Sequence, residues 1–265
     1  MSHHAQFQLG HERETEVAEQ LELAAMAHLT AMELSVETRT DFAELRDLLT
    51  PVLPGPFNPT FDPACRDLSP ESYWLRVATN AGQVIGTIAT TTFRGHFAEA
   101  IGDGSLWYRS TQLPADWSQM APVRTISRRI DGHWTHDGAG WVDPAWRDNR
   151  IAFHMQSLIR AQFLRQRAAN FVTAICFHAI ARRSVPAKSY GYPEHGAELV
   201  IDGYFPISGR AESMYALHMD KTEALEDAAG RYSSSSFQLP WNILETVIKR
   251  RTSPKSSTKG NAIRS

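Results

Sequence analysis

The chain has 265 residues, 42% hydrophobic and 21% charged, an ordinary balance for a globular protein and enough for one large domain with appendages. A formal net charge of -2 lacks the basic excess of a dedicated nucleic-acid binder. The two cysteines, Cys65 and Cys176, make neither a disulfide framework nor a zinc set, and reduced thiols in a cytoplasmic protein are expected. Met1-Ser2-His3-His4 shows no basic region followed by an apolar core, so no secretory signal is read there. No apolar run approaches the roughly 20 residues of a membrane span, so no membrane partner is expected.

Residues 11–30 carry five Glu against one Arg, with Val17, Leu21, Ala24, Ala25 and His28 on one helical face. An acidic amphipathic helix is expected, serving as a packing appendage. Met32, Leu34 and Val36 alternate with Glu33, Ser35 and Glu37, the period of a half-buried strand. Asp41-x-x-Glu44 is a capping-box-like start for a helix carrying Phe42, Leu45, Leu48 and Leu49. Pro51, Pro54, Pro56 and Pro59 end that helix in an extended loop. Residues 73–79 and 84–93 are β-rich and flank Asn80-Ala81-Gly82, a hairpin turn. Residues 94–125 have no clean period, and read as an irregular insertion that covers a pocket.

Residues 123–130 resume a strand-like pattern with Arg124, Arg128 and Arg129, and Asp131-Gly132 makes a turn. Residues 133–142 form the next strand, ended by Pro144, which cannot donate to a ladder. Asp148 and Asn149 offer caps for a helix. Ile151, Met155, Leu158, Ile159 and Phe163 then recur at helical spacing, in a run reaching about Arg167. Residues 171–177 are almost wholly apolar, as in a central strand buried on both faces. A short helix over 179–183, broken before Pro186, precedes closing strands at 197–201 and 212–217. Pro240 starts a last helix carrying Trp241, Ile243, Leu244, Val247 and Ile248. From Lys249 the tail has six basic and no acidic residues, and disorder is expected. The divisions are a helical appendage over 1–30, a core domain over 31–219, a helical extension over 220–250 and a basic tail over 251–265. The element order makes the core a mixed α/β domain with one sheet and helices on its faces.

A strand that runs through a short polar turn into a helix N-terminus is a place for an anion, because the first amides and the helix dipole face it. Here that stretch is Trp141 to Ala152, and Val142-x-Pro144-x-x-Arg147-x-x-Arg150-x-Ala152 resembles the GNAT N-acyltransferase superfamily. Its members carry Val-x-Pro-x-x-Arg/Gln-x-x-Gly-x-Gly/Ala at the join of the fourth strand and the next helix. Val142, Pro144, Arg147 and Ala152 match, while Arg150 stands where the family has Gly. The resemblance also takes in Met32 to Leu49 and the Gly191-Tyr192 pair, within 31–219.

It implies a mostly antiparallel mixed sheet with a splayed central strand pair and helices on both faces. It also implies acetyl-CoA as acyl donor, with the pyrophosphate held around Trp141, Val142, Arg147, Asp148, Asn149, Arg150, Ile151 and Ala152. The pantetheine arm lies between the splayed strands. Family members often carry a carboxylate base about six residues before the motif's Val. Here that position is His136, with Asp137 beside it. An imidazole with an ordinary pKa near 6.5 suits the role; the plainer reading is a strand histidine bonded locally. His133-x-x-His136 offers too few ligands for zinc, and no metal is expected. The family's acid is a Tyr five residues before the aromatic of its Gly-Phe pair. Counting back from Tyr192 lands on Ala187, so Tyr190 and Ser184 are the candidate donors, or there is none. Asp103, Trp107, Tyr108, Trp117 and Glu194-His195 either line an acceptor pocket or simply pack.

Three readings follow. The first is acetyl transfer from acetyl-CoA to the primary amine of a small molecule or peptide. The second keeps the fold but takes a long-chain acyl donor, from coenzyme A or a carrier protein. The third is a non-catalytic ligand-binding or assembly domain. A homodimer through the acidic helix or the helix near Trp241 stays open.

Overall fold

The computed structural model describes residues 3–183 and 186–231. One sheet holds seven strands in the order β1-β2-β3-β4-β5-β7-β6. These are β1 (Leu34–Arg39), β2 (Tyr73–Thr79), β3 (Val84–Arg94), β4 (His133–Val142), β5 (Phe171–Phe177), β6 (Ala197–Phe205) and β7 (Arg210–Asp220). Neighbours are antiparallel except β4 and β5, which run parallel at the centre. The β2–β3 hairpin turns through Gly82 at φ 84°, a conformation that glycine adopts without steric cost.

One face of the sheet is covered by α1 (His3–Ala31), α4 (Ile151–Arg165) and α6 (Lys221–Arg231), the other by α2 (Phe42–Leu49) and the short α3 (Phe97–Gly102), while the single turn α5 (His178–Ala181) follows β5. The fold is thus mixed α/β, mostly antiparallel, with helices on both faces. Asp41 caps α2 by accepting from the amides of Ala43 and Glu44. Glu44 pairs with Arg39 at 2.9 Å instead of reaching back to close a capping box.

Two expectations are corrected. The acidic helix starts at His3, and it is a wall of the core and not an appendage. Ala18, Leu21, Ala25 and Leu29 are buried in clusters shared with α4 and the sheet. Residues 123–130 form no strand. They make an extended strap along β6, with the amides of Ala121 and Arg124 donating to Tyr204 and Val200, each at 2.8 Å. Pro122, between them, has no N–H, and Ser127 donates instead to the Glu198 carboxylate at 2.8 Å, so no ladder can form.

The 94–125 insertion holds α3 and two single 3-10 turns, and buries Phe97, Ile101, Leu106 and Trp107 against the α2 face of the sheet. Both closing strands run longer than 197–201 and 212–217. The helix expected from Pro240 and the basic tail lie outside the described residues. No helix among the described residues is long and apolar enough to cross a membrane.

Candidate active site

The site is built on a fork at the centre of the sheet. β4 and β5 pair only from Trp134–Phe171 to Asp137–Ala174, although both strands run on. The divergence begins where β4 bulges. Between the pairs Ala89–Gly138 and Thr87–Trp141, β4 has two residues against one on β3, and Ala139 sits at φ 48°. A bulge of this kind bends its strand and re-aims the residues beyond it. Gly138 is required here because a Cβ would lie 2.5 Å from the Phe61 ring. The splayed central pair expected from the resemblance is therefore present.

The turn leaving β4 differs from the expected one. Residues Pro144–Asn149 form a 3-10 turn capped by the Asp143 carboxylate, which accepts from the Ala145 amide at 2.9 Å. Neither Asp148 nor Asn149 is the N-cap residue of α4; that position is Arg150, which makes no side-chain cap bond. Arg150 adopts the left-handed conformation at φ 57° and ψ 25°. Glycine holds such angles freely, whereas a side chain there costs on the order of 1 kcal/mol. The local path matches what a glycine at that position permits, and arginine is forced into it. Ile151 is buried and packs against Gly86, while Ala152 is half-buried. Their amides open α4, where a helix has no acceptors of its own. Arg147 is exposed and its Nε donates to the Val142 carbonyl at 3.3 Å. Trp141 and Val142 are half-buried and hold β4 in register with Thr87 and Gly86.

A cavity of about 990 Å³ runs through the fork and is lined from both faces of the sheet. His136 and Tyr190, on different elements, both line it. His136 is buried against Phe61, Phe93, Phe97 and Trp134 on the α2 face. Its Nδ1 lies 2.9 Å from the Thr173 hydroxyl, which itself donates to the Thr135 carbonyl. That hydroxyl has spent its one proton, so the network assigns the imidazole as Nδ1–H with the lone pair on Nε2. Burial, helped by the Arg66 charge, pushes its pKa down to about 3.

Tyr190 ends a single π-helical turn, Pro186–Tyr190, with Ser184 outside the described residues. Its hydroxyl lies 3.7 Å from where a Cβ of Gly140 would sit, so it reaches from the β5 side toward the bulged strand. Burial, then Cys176, raises its pKa, which keeps the phenol protonated. Cys176, on β5, also lines the cavity, and burial pushes its thiol up to about 11.

Asp137, expected only as the neighbour of His136, anchors a buried polar group on the α4 face in which Gln156 and Arg160 were not foreseen. Asp137 closes the β4–β5 ladder, and its Oδ2 accepts from Gln156 at 2.7 Å and from the Tyr192 hydroxyl at 3.4 Å. Burial raises its pKa against the pull of Arg160 and of the Gln156, Thr90 and Tyr192 hydrogen bonds. Arg160 is wholly buried, with its guanidinium 5.2 Å from the Tyr192 ring centre. Gln156 and Arg160 are four apart on α4, a polar pair inside an apolar stripe, and that spacing was the available signal.

The acceptor candidates divide. Trp107 lines the cavity; Tyr108 and Trp117 pack in the insertion cluster. Asp103 ends α3 and holds the Ser105 amide, and His195 pairs with Glu223 at 2.7 Å, away from the cavity lining. Among the described residues no group of three or more His, Cys, Asp or Glu is placed to hold a metal ion.

No protein-family model and no curated protein sequence matches the chain. Several solved structures are similar to it. NAA60 from Arabidopsis thaliana in complex with acetyl-CoA is 9% identical, with 71% of this chain and 99% of that one covered at a TM-score of 0.46. An N-acetyltransferase from Staphylococcus aureus Mu50 is 14% identical, covering 71% and 98% at 0.41. FeeM, an N-acyl amino acid synthase from uncultured soil microbes, is 10% identical, covering 72% and 92% at 0.40.

Proposed function

We propose that the protein is an N-acyltransferase that moves an acyl group, acetyl in the simplest case, from coenzyme A to the primary amine of a small molecule or peptide. One observation carries the reading: a fork in the sheet whose gap continues as a cavity, with β4 leading through the 3-10 turn Pro144–Asn149 into the N-terminus of α4. A linear arm can lie along the β5-facing edge of β4 past Asp137, where the β4–β5 ladder has ended. The amides of Ile151 and Ala152, with the α4 dipole behind them, suit a pyrophosphate, and Arg147 and Arg150 are exposed beside them. When bound, the thioester supplies an electrophilic carbonyl and a thiol leaving group.

The transfer joins the amine nitrogen to the acyl carbon, breaks the C–S bond and moves one proton from nitrogen to the departing sulfur. His136 serves as base through Nε2, the nitrogen that the Thr173 contact leaves with a lone pair. A pKa of about 3 makes it a weak base, so the amine has to arrive uncharged. Tyr190 supplies the proton for the sulfur from across the fork.

Titration of the folded protein with coenzyme A and with acetyl-CoA, followed by calorimetry, tests the reading, with thiol release measured over a panel of amines. Micromolar binding and amine-dependent thiol release are expected. Absence of binding by folded protein overturns the proposal, and binding with no turnover on any amine makes the chain a binding domain.

A further inference from the structure

The lining of the cavity is unevenly divided. On the α4 face the walls carry Gln156, Cys176, Tyr190 and Tyr192 around the fork, enough polar groups to hold an amide-bearing arm. On the α2 face the wall from Leu49 to Pro59 is formed by Leu49, Leu53, Phe57 and prolines, and Asn58 is its sole polar side chain. The opposite wall brings Trp107, Phe205 and Ile207. Charged groups on this face, Asp202, Arg210 and Glu212, are confined to the β6–β7 hairpin. Phe177, one of the two large hydrophobic residues exposed among those described, also lines this space. The whole cavity, fork included, reaches about 990 Å³, the upper end of the roughly 300–1,000 Å³ of a pocket for a drug-sized ligand, and an acetyl group at the fork would leave the apolar α2-face wall uncovered.

Taking the acyl-transfer reading as its basis, we propose that the α2-face lobe binds a long, unbranched acyl chain of the coenzyme A donor, laid along the 49–57 wall. The chain starts at the fork, where the thioester carbonyl meets His136, and runs away from the charged hairpin. The hairpin is then the side by which the amine arrives, since the facing wall offers it nothing charged. Apolar burial predicts the gain. Each methylene removed from water improves binding by up to about fourfold, the equivalent of about 0.8 kcal/mol.

Calorimetry without amine, using acetyl-, hexanoyl-, decanoyl- and tetradecanoyl-CoA below micelle-forming concentrations, reads the lobe independently of turnover. Affinity is expected to climb with chain length and reach about a hundredfold or more over acetyl-CoA. Ile207→Trp and Leu53→Trp, which fill the lobe from opposite walls, are each expected to lower the tetradecanoyl-to-acetyl affinity ratio at least tenfold. A variant that has merely lost its fold would lose both ligands together. Equal affinity for all four donors, or binding of acetyl-CoA alone, overturns the lobe assignment and leaves the acyl-transfer reading standing. Binding of none of them overturns both.

Discussion

His136 shows how one side chain's surroundings decide its chemistry. Four aromatic rings around it exclude water, and the Thr173 contact fixes which nitrogen holds the proton. A histidine on the surface would titrate near 6.5 and add a limb to the pH–rate profile there. With its pKa at about 3, His136 stays neutral throughout the usual assay range. The kcat/KM profile is therefore expected to lack a limb near 6.5 and to rise with pH as the substrate's ammonium loses its proton. His136→Ala is expected to lower kcat by roughly 10²-fold, the low end for a positioned base because its pKa lies far below the working pH. Unchanged turnover in that variant would remove His136 as base. Tyr190 works in the opposite sense, because burial holds its proton on and makes it a donor. Residue identity at position 136 was legible in the sequence; the depth of burial and the tautomer came from Phe61, Phe93, Phe97 and Thr173, all four of which lie on other elements.

The turn from β4 into α4 carries the clearest conflict between a side chain and its backbone. Arg150 holds a left-handed conformation that its Cβ resists. Arg150→Ala keeps that cost while deleting the side-chain contacts; Arg150→Gly deletes the contacts and relieves the backbone. The Gly variant is expected to be more stable than the Ala variant by about 1 kcal/mol in urea unfolding. Equal stability would mean that the turn relaxes and stores no strain. The bounds of β4 and β5 could be read residue for residue, because Pro144 terminates one strand and a continuous apolar run defines the other. The bulge at Ala139 could not, since it depends on how β3 counts against β4. Nor did the 123–130 pattern reveal that Pro122 and a carboxylate would intercept its amides.

Across the whole molecule, buried histidines set the response to acid. His136 and His154 are both buried, and burial lowers the pKa of each to about 3. In the unfolded chain both titrate near 6.5, so between these values the unfolded state binds more protons than the folded one. Folding stability is therefore whole above pH 6.5 and is lost as pH falls through the window toward 3, by up to about 1.4 kcal/mol per pH unit for each histidine. Urea unfolding at pH 7.5, 6.0 and 5.0 is expected to show this loss, and His154→Gln to remove about one histidine's share of the slope. A flat profile would mean that the rings are hydrated in the folded state. The layered α/β plan was legible from apolar periods alone. The place of α1 was not, since an acidic amphipathic helix ahead of the first strand read as a packing appendage. Glu14 and Glu22 instead pair with Lys221 and Arg165, while the small and aliphatic residues between them face α4.

The strap over β6 has a consequence for how copies of this chain can meet. An outermost strand ordinarily offers a row of unclaimed amides and carbonyls on which another chain can build. Along β6 two of those carbonyls are already taken by Ala121 and Arg124, and the Arg124–Asp202 ion pair at 2.7 Å pins the strap in place. Among the described residues, β1 is the other margin of the sheet. Two molecules joined margin to margin through β1 would turn strapped edges outward on both sides. Sheet-to-sheet growth would then stop at the pair, and the strap would act as the terminator of polymerisation.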